Sequence, residues 1–170
     1  MRVIALVAHS FDGFIARNST EFTDWSSKED KKLFAEETKK AGVIIVGNTT
    51  FKTFKSPLKN RLNIVLTSTP NAFQSIRNQV EYTNTPPKKL LAQLKQRGYQ
   101  SAFVIGGASV YTLFLKNKLL EEIWLTLEPI IFGQGLPNFT ESIYDTHCLL
   151  IEAKKLNDNS LHLRYKVKYE

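Results

Sequence analysis

Three short runs of apolar residues constrain this chain more than any other feature. Val43-Ile44-Ile45-Val46, Leu62 to Leu66 and Ala102-Phe103-Val104-Ile105 show little alternation of polar and apolar positions. Such runs read as strands covered on both faces rather than strands with one wet side. The opening residues 2–8 read the same way, weaker strands fall near Glu81 and over 122–128, and helical patterns lie between them. Residues 27–40 form a helix with Ser27 at its start and Gly42 just past its end. A short helix over 48–54 stops before Pro57, Thr85-Pro86-Pro87 opens a helix that Gly98 ends, and another runs from Gly107 to about Leu115. Residues 149–156 and 161–169 flank the turn residues Asn157-Asp158-Asn159-Ser160, the pattern of a hairpin. Strands that alternate with helices imply parallel crossovers. The expectation is therefore one α/β domain over residues 1–170. Its central sheet is mostly parallel, with helices on both faces and a C-terminal antiparallel hairpin at one edge.

Composition agrees. At 170 residues, 42% apolar and 23% charged, the chain has the balance of one globular domain. No apolar run approaches the roughly 20 residues of a membrane span. Cys148 is alone, which excludes an internal disulfide and a thiolate metal site. The first eight residues are too short for a signal peptide, so a cytoplasmic protein is expected. The net charge of +7 favours anionic partners: nucleic acid, or small polyanions such as dinucleotides and phosphorylated or carboxylated ligands. The basic residues are scattered. In the last segment His162, Arg164, Lys166 and Lys168 alternate with Leu161, Leu163, Tyr165 and Val167. That reads as a strand with one buried apolar face and one wet basic face. A small-molecule substrate is expected, with no nucleic-acid or membrane partner, in a monomer or homodimer.

The chemistry concentrates where strands end in glycine. Val46-Gly47 precedes Asn48-Thr49-Thr50, and Ile105-Gly106-Gly107 precedes Ala108-Ser109-Val110. Glycine lets a ligand approach the backbone, and a helix start offers N–H groups to phosphate. Two such junctions, with Thr67-Ser68 ending a third strand, suit a pyrophosphate. Neither is a P-loop or a GxGxxG fingerprint. Asp30 has two readings. Three residues after Ser27 it can serve a capping box. At about 100° per residue it also lies between Leu33 and Phe34, on the apolar stripe facing the sheet. Glu37 shares that face and is its rival. His9, His147 and His162 are isolated, with no spacing for a metal, and Ser10 and Ser109 lack a nucleophile-elbow surround. Trp25 and Trp124 read as packing residues.

Gly47-Asn48-Thr49-Thr50-Phe51, Pro57-Leu58, the stretch from Arg61 to Ser68, Val104 to Tyr111, Trp25 with Asp30 and Phe34, and Trp124-Leu125-Thr126 resemble dihydrofolate reductase. They fall in that family's order from the first strand to about Gly133. The pyrimidine reductases of riboflavin synthesis share the fold and the opening Ser10-Phe11-Asp12-Gly13, and are the competitor.

The resemblance implies a dihydrofolate reductase-like fold and NADPH-dependent reduction of dihydrofolate to tetrahydrofolate. By resemblance, Asp30 grips the pterin's amino group and ring nitrogen, Thr126 supports that carboxylate, and Trp25 completes the implied catalytic set. Phe34, Leu6, Val7, Ile105 and Tyr111 surround the bicycle. Phe54 and Leu58 wall the aminobenzoyl group, and Arg61 clamps the glutamate carboxylate, which a ribityl-phosphate substrate lacks. Ala8 and Ile15 stand beside the nicotinamide. Gly47, Asn48, Thr49, Thr50, Thr67, Ser68, Gly106, Gly107, Ala108, Ser109 and Val110 form the phosphate and ribose shell. Residues 16–24 are the implied closing loop. Asn48 and Ser109 replace frequent family cations, so no 2′-phosphate clamp is visible, and Lys52, Lys55 and Arg77 are the candidate substitutes, among which the sequence does not choose.

Overall fold

The structure, a computed structural model, describes residues 1–140 and 145–169. In chain order its elements are β1 (Arg2–His9), β2 (Phe14–Ala16), α1 (Lys28–Ala41), β3 (Val43–Gly47), α2 (Asn48–Phe51), β4 (Leu62–Leu66), β5 (Val80–Thr83), α3 (Pro87–Gln96), β6 (Ser101–Val104), α4 (Ala108–Lys116), β7 (Glu122–Leu127), β8 (Leu136–Pro137), β9 (His147–Lys155) and β10 (Leu161–Lys168). Eight strands form one sheet in the order β5-β4-β3-β6-β1-β7-β10-β9. Pairing is parallel from β5 to β7, and β10 and β9 add antiparallel strands at the far edge.

The continuous apolar runs are the strands with two covered faces: Val43, Ile44, Ile45 and Val46 are each 0% exposed. Alternation sends their side chains into two cores. Val3, Ala5, Val43 and Ile45 pack with Leu90 and Leu94 of α3 and Phe114 of α4. Ile4, Leu6, Ile44 and Phe103 pack with Leu33 and Phe34 of α1. Ser27 caps α1, its Oγ accepting from the Asp30 N–H at 3.2 Å. Gly42, at φ +74°, ends it by donating to the Thr38 and Lys39 carbonyls.

Chain order positions the site. After β1 the chain moves outward through β3, β4 and β5, then returns to insert β6 between β3 and β1. The carboxyl ends of β3 and β6 therefore lie side by side where the direction of winding reverses, the place where open α/β sheets bind ligands.

Two features depart from the sequence reading. β2 and β8 form a second, two-stranded sheet, pairing Phe14 with Pro137 and Ala16 with Leu136. Two or three residues are too few to show a period. The wet basic face expected on β10 holds in its last part, where Lys166 and Lys168 are exposed and Val167 is buried, and is corrected at its start. His162 is 1% exposed, whereas Leu161 on the supposedly buried face is 39% exposed. Arg164 lies 4.2 Å from the Trp124 ring centroid and pairs with Glu152 at 3.0 Å. Alternation reveals two faces but not which one is covered. Here β10 aligns His162 with Thr126 and Arg164 with Trp124, on the face towards the first turn of α1. No helix among the described residues is long and apolar enough to cross a membrane.

Candidate active site

A cleft of about 1220 Å³ opens along the carboxyl ends of the parallel strands. It gathers most of the residues singled out from the sequence. On the side of β3, β4, β6 and α4 its wall includes Gly47, Asn48, Thr49, Thr50, Thr67, Ser68 and Gly106 through Tyr111. On the side of β1 and α1 it includes Leu6, Val7, Ala8, Ile15, Asp30 and Phe34, with Phe54, Leu58 and Ile105 completing it. Trp25, Arg61 and Thr126 are not on the wall.

The glycine junctions form a cradle. The Gly47 N–H donates to the Gly106 carbonyl at 2.8 Å. Gly106 holds φ +108°, a conformation that favours glycine. A Cβ on Gly47 would lie 3.0 Å from Val110 Cγ2, and one on Gly107 would lie 2.9 Å from Thr50 Oγ1. α4 starts at Gly107 with no side chain capping its first N–H groups, which leaves donors for an anion. At the same junction Asn48 Oδ1 is buried without a hydrogen-bond partner. The cradle and its open donors thus fit the pyrophosphate and ribose of a dinucleotide. Of the substitute cations, only Lys55 lines the cleft. The Lys52 ammonium lies 5.7 Å from the Phe73 ring centroid. Arg77 sits just before Asn78 and Gln79, at the opposite end of the sheet.

Asp30 sits at the inner wall, 7% exposed. Its two sequence readings separate cleanly. Capping is done by others: Ser27 Oγ accepts from the Asp30 backbone, while Glu128 Oε1 accepts from the Ser27 N–H at 2.8 Å and from Ser27 Oγ at 2.7 Å. Glu128, 4% exposed, also accepts from Ser160 Oγ at 2.6 Å. A carboxylate 101 positions away thus does the capping-box work, and the Asp30 side chain is free. Burial raises the Asp30 proton affinity above the ordinary carboxylate range. The nearby Thr126 and then Ser26 hydroxyls oppose this, while the Glu128 charge adds to it. Glu37, the rival, pairs instead with Lys40 at 2.6 Å. Tyr111 closes the floor, donating from its hydroxyl to the Leu6 carbonyl at 2.7 Å. Burial, then the Asp30 charge, push its phenol up.

Arg61 is 8% exposed. It donates from Nη1 to the Thr38 hydroxyl and from Nε to the Lys59 carbonyl at 3.0 Å. Burial lowers its proton affinity, and among the described residues no carboxylate pairs with it. Its loop is fixed by Asn63, which bonds the backbone of Leu58, Arg61 and Gln79. Sequence reasoning passed over Asn63, although a polar residue inside an apolar strand run was the signal. It also passed over Lys31 on the cleft wall. Trp25 packs edge-on against Phe132, with centroids 5.0 Å apart. The Ser10-Phe11-Asp12-Gly13 opening builds a turn: Ser10 Oγ donates to Asp12 Oδ1 at 2.6 Å, and Asp12 accepts from the Phe132 and Gly133 N–H groups.

Together the fold and cleft define an α/β domain of the dihydrofolate reductase-like class. Residues 1–160 match the RibD C-terminal domain family, and the chain belongs to it. It is 25% identical over 171 residues to the uncharacterized protein YwjB of Bacillus subtilis (strain 168), covering 96% of this chain and 97% of that one. In fold it is similar to a diaminohydroxyphosphoribosylaminopyrimidine deaminase/5-amino-6-(5-phosphoribosylamino)uracil reductase from Thermotoga maritima. That likeness has a TM-score of 0.80 at 16% identity and covers 97% of this chain and 56% of that one. It is also similar to dihydrofolate reductase from Enterococcus faecalis complexed with NADP(H), with a TM-score of 0.71 at 22% identity, covering 99% and 97%.

Proposed function

We propose that the protein is an NADPH-dependent reductase and that its substrate is dihydrofolate, held through the pyrimidine half of the pterin by Asp30. The observation that supports this is a buried carboxylate on the wall of a largely apolar cleft. Burying such a charge is costly unless a ligand donates to it. The 2-aminopyrimidine edge of a pterin offers two adjacent N–H donors, which match the two carboxylate oxygens.

NADPH, when bound, supplies the hydride. Gly47, Gly106 and Gly107 would admit its pyrophosphate to the backbone, and the first turn of α4 would donate to it. Asn48, Thr67 and Ser68 would meet its ribose hydroxyls. Leu6 and Phe34 would pack on the heterocycle and fix its plane. Asp30 orients the ring and, as a fixed negative charge in a water-poor site, favours its protonated form. Lys31 and Lys55 face the cleft where an anionic tail would leave it, and Arg61, off the cleft wall beside Asn78 and Gln79, would take the carboxylate of a tail that runs out of the cleft past Leu58.

A second reading is reduction of an aminopyrimidine of riboflavin synthesis. The family match and the fold of the Thermotoga protein favour it. Asp30 alone does not separate the two readings, because the N1–H and the exocyclic 6-N–H of that aminouracil also form a two-donor edge for a carboxylate. The test is NADPH consumption with each substrate in turn. Turnover of dihydrofolate alone supports the first reading. Turnover of 5-amino-6-(5-phosphoribosylamino)uracil alone supports the second, and turnover of neither contradicts both.

A further inference from the structure

Arg2, Arg17, Arg97 and Arg164 each pair with a glutamate. Arg61, the only buried arginine among the described residues, pairs with none. A guanidinium has five N–H donors. Arg61 commits Nε to the Lys59 carbonyl and one Nη1 hydrogen to the Thr38 hydroxyl, and no group among the described residues takes the rest. It lines a hollow of about 570 Å³ together with Lys59, Asn60, Asn78, Gln79 and Tyr99. Among the described residues no acid lines this hollow. Its polar wall is therefore two cations and three side-chain amides.

The hollow begins where the cleft ends. Leu58 lines the cleft, and the next three residues line the hollow. Helix α1 joins the two as well. Asp30, Phe34 and Thr38 follow one side of it at intervals of four residues; the first two line the cleft and the third holds Arg61. Eight residues of helix set Thr38 about 12 Å beyond Asp30 along the axis. A heterocycle gripped at Asp30 and packed on Phe34 thus sends its far end towards the hollow.

We propose that the hollow is a subsite for further carboxylates, and that the substrate is a dihydrofolate whose glutamate is extended by γ-linked glutamates. The inference rests on the dihydrofolate reading and adds the length of the tail. A γ-linkage leaves every α-carboxylate ionised, so each added residue brings one new anion. The first carboxylate takes the free Nη donors of Arg61. The next ones meet the Lys59 ammonium and accept from the amide N–H groups of Asn60, Asn78 and Gln79. A single glutamate leaves those donors to water.

The experiment titrates the full chain by calorimetry with dihydrofolate and with its tri-γ-glutamate. A third ligand, p-aminobenzoyl-tri-γ-glutamate, carries the tail without the pterin. The triglutamate should bind about tenfold tighter than the monoglutamate at low ionic strength. Lys59→Ala combined with Asn78→Gly should cut that ratio by about threefold or more. Glycine suits the φ of +60° at Asn78. Arg61→Leu should abolish binding of the p-aminobenzoyl compound. Lys59 and Asn78 are both exposed, so the double variant decides the case if Arg61→Leu does not fold. Equal affinity of the parent for the two tail lengths would overturn the inference, as would a gain that survives the double substitution. Citrate that displaces the p-aminobenzoyl compound at equal concentration would give the hollow to a free polycarboxylate and overturn the tail assignment. NADPH oxidation separates the subsite from the reading beneath it. If dihydrofolate is turned over and both tail lengths bind alike, the subsite fails and the reductase reading stands. If dihydrofolate is not turned over while the p-aminobenzoyl compound binds and the double substitution weakens it, the dihydrofolate reading fails and the γ-glutamyl subsite stands.

Discussion

Asp30 occupies a position at which a carboxylate usually bonds the helix's own backbone. Glu128 takes over that task through Ser27, and the freed Asp30 carries a stability cost. Its folded proton affinity is raised chiefly by burial. Stability from such a group is full below its unfolded pKa and is lost as pH rises through the folded value. At pH 7 the ionised acid therefore opposes folding, and Asp30→Asn should raise the melting temperature at pH 7 but not at pH 3. Equal shifts at both pH values would contradict this. Arg61 belongs to the same scale. Arg61→Leu should weaken dihydrofolate binding by about 2–4 kcal/mol, as loss of a desolvated charge partner does, and leave dihydropteroate, which lacks glutamate, unaffected in a calorimetric titration. Much at this scale was legible in the sequence. The place of Asp30 on the apolar stripe followed from helical geometry, and the glycine junctions followed from their position after apolar runs. Lys31 and Glu128 were not legible. One is an ordinary surface residue type, and the other acts across 101 positions.

Among the elements, the starts of α2 and α4 meet in close contact. Gly107→Ala would push a methyl to 2.9 Å from Thr50 Oγ1 and so part the two helix starts. NADPH affinity should fall by about tenfold or more, read by quenching of tryptophan fluorescence, with the melting temperature little changed. Unaltered affinity would show that the cofactor binds away from this junction. The hairpin carries a second expectation. His162 is held at about 4 against an ordinary value of 6.5. The folded state accommodates the neutral ring, so its contribution is whole above 6.5 and is lost as pH falls towards 4. The loss amounts to up to about 3 kcal/mol. Urea unfolding at pH 7 and pH 4.5 should show a smaller difference in His162→Asn than in the parent. The start of β10 was misread, while Lys166, Val167 and Lys168 follow the expected faces; alternation cannot say which side a helix covers, and α1 settles that for His162 from more than a hundred residues away.

At the scale of the molecule, topology decides where chemistry is done. Returning β6 between β3 and β1 brings three carboxyl strand ends together and opens the cleft there. This was legible because strand–helix alternation implies parallel crossovers; the order of strands and the small β2–β8 sheet were not, since neither leaves a periodic trace. The net charge of +7, with Lys31 and Lys55 on the wall, should draw in anionic ligands. Turnover per unit of low dihydrofolate concentration should fall several-fold between about 20 and 300 mM salt, and a flat profile would contradict that role for the charge. The central claim is that Asp30 grips the heterocycle that is reduced. The most direct test is single-turnover hydride transfer from NADPH to saturating dihydrofolate at pH 7, comparing the parent with Asp30→Asn. The account predicts a loss of about a hundredfold or more, partly recovered in acid where the substrate is protonated from solvent. Equal rates in the two proteins would contradict it.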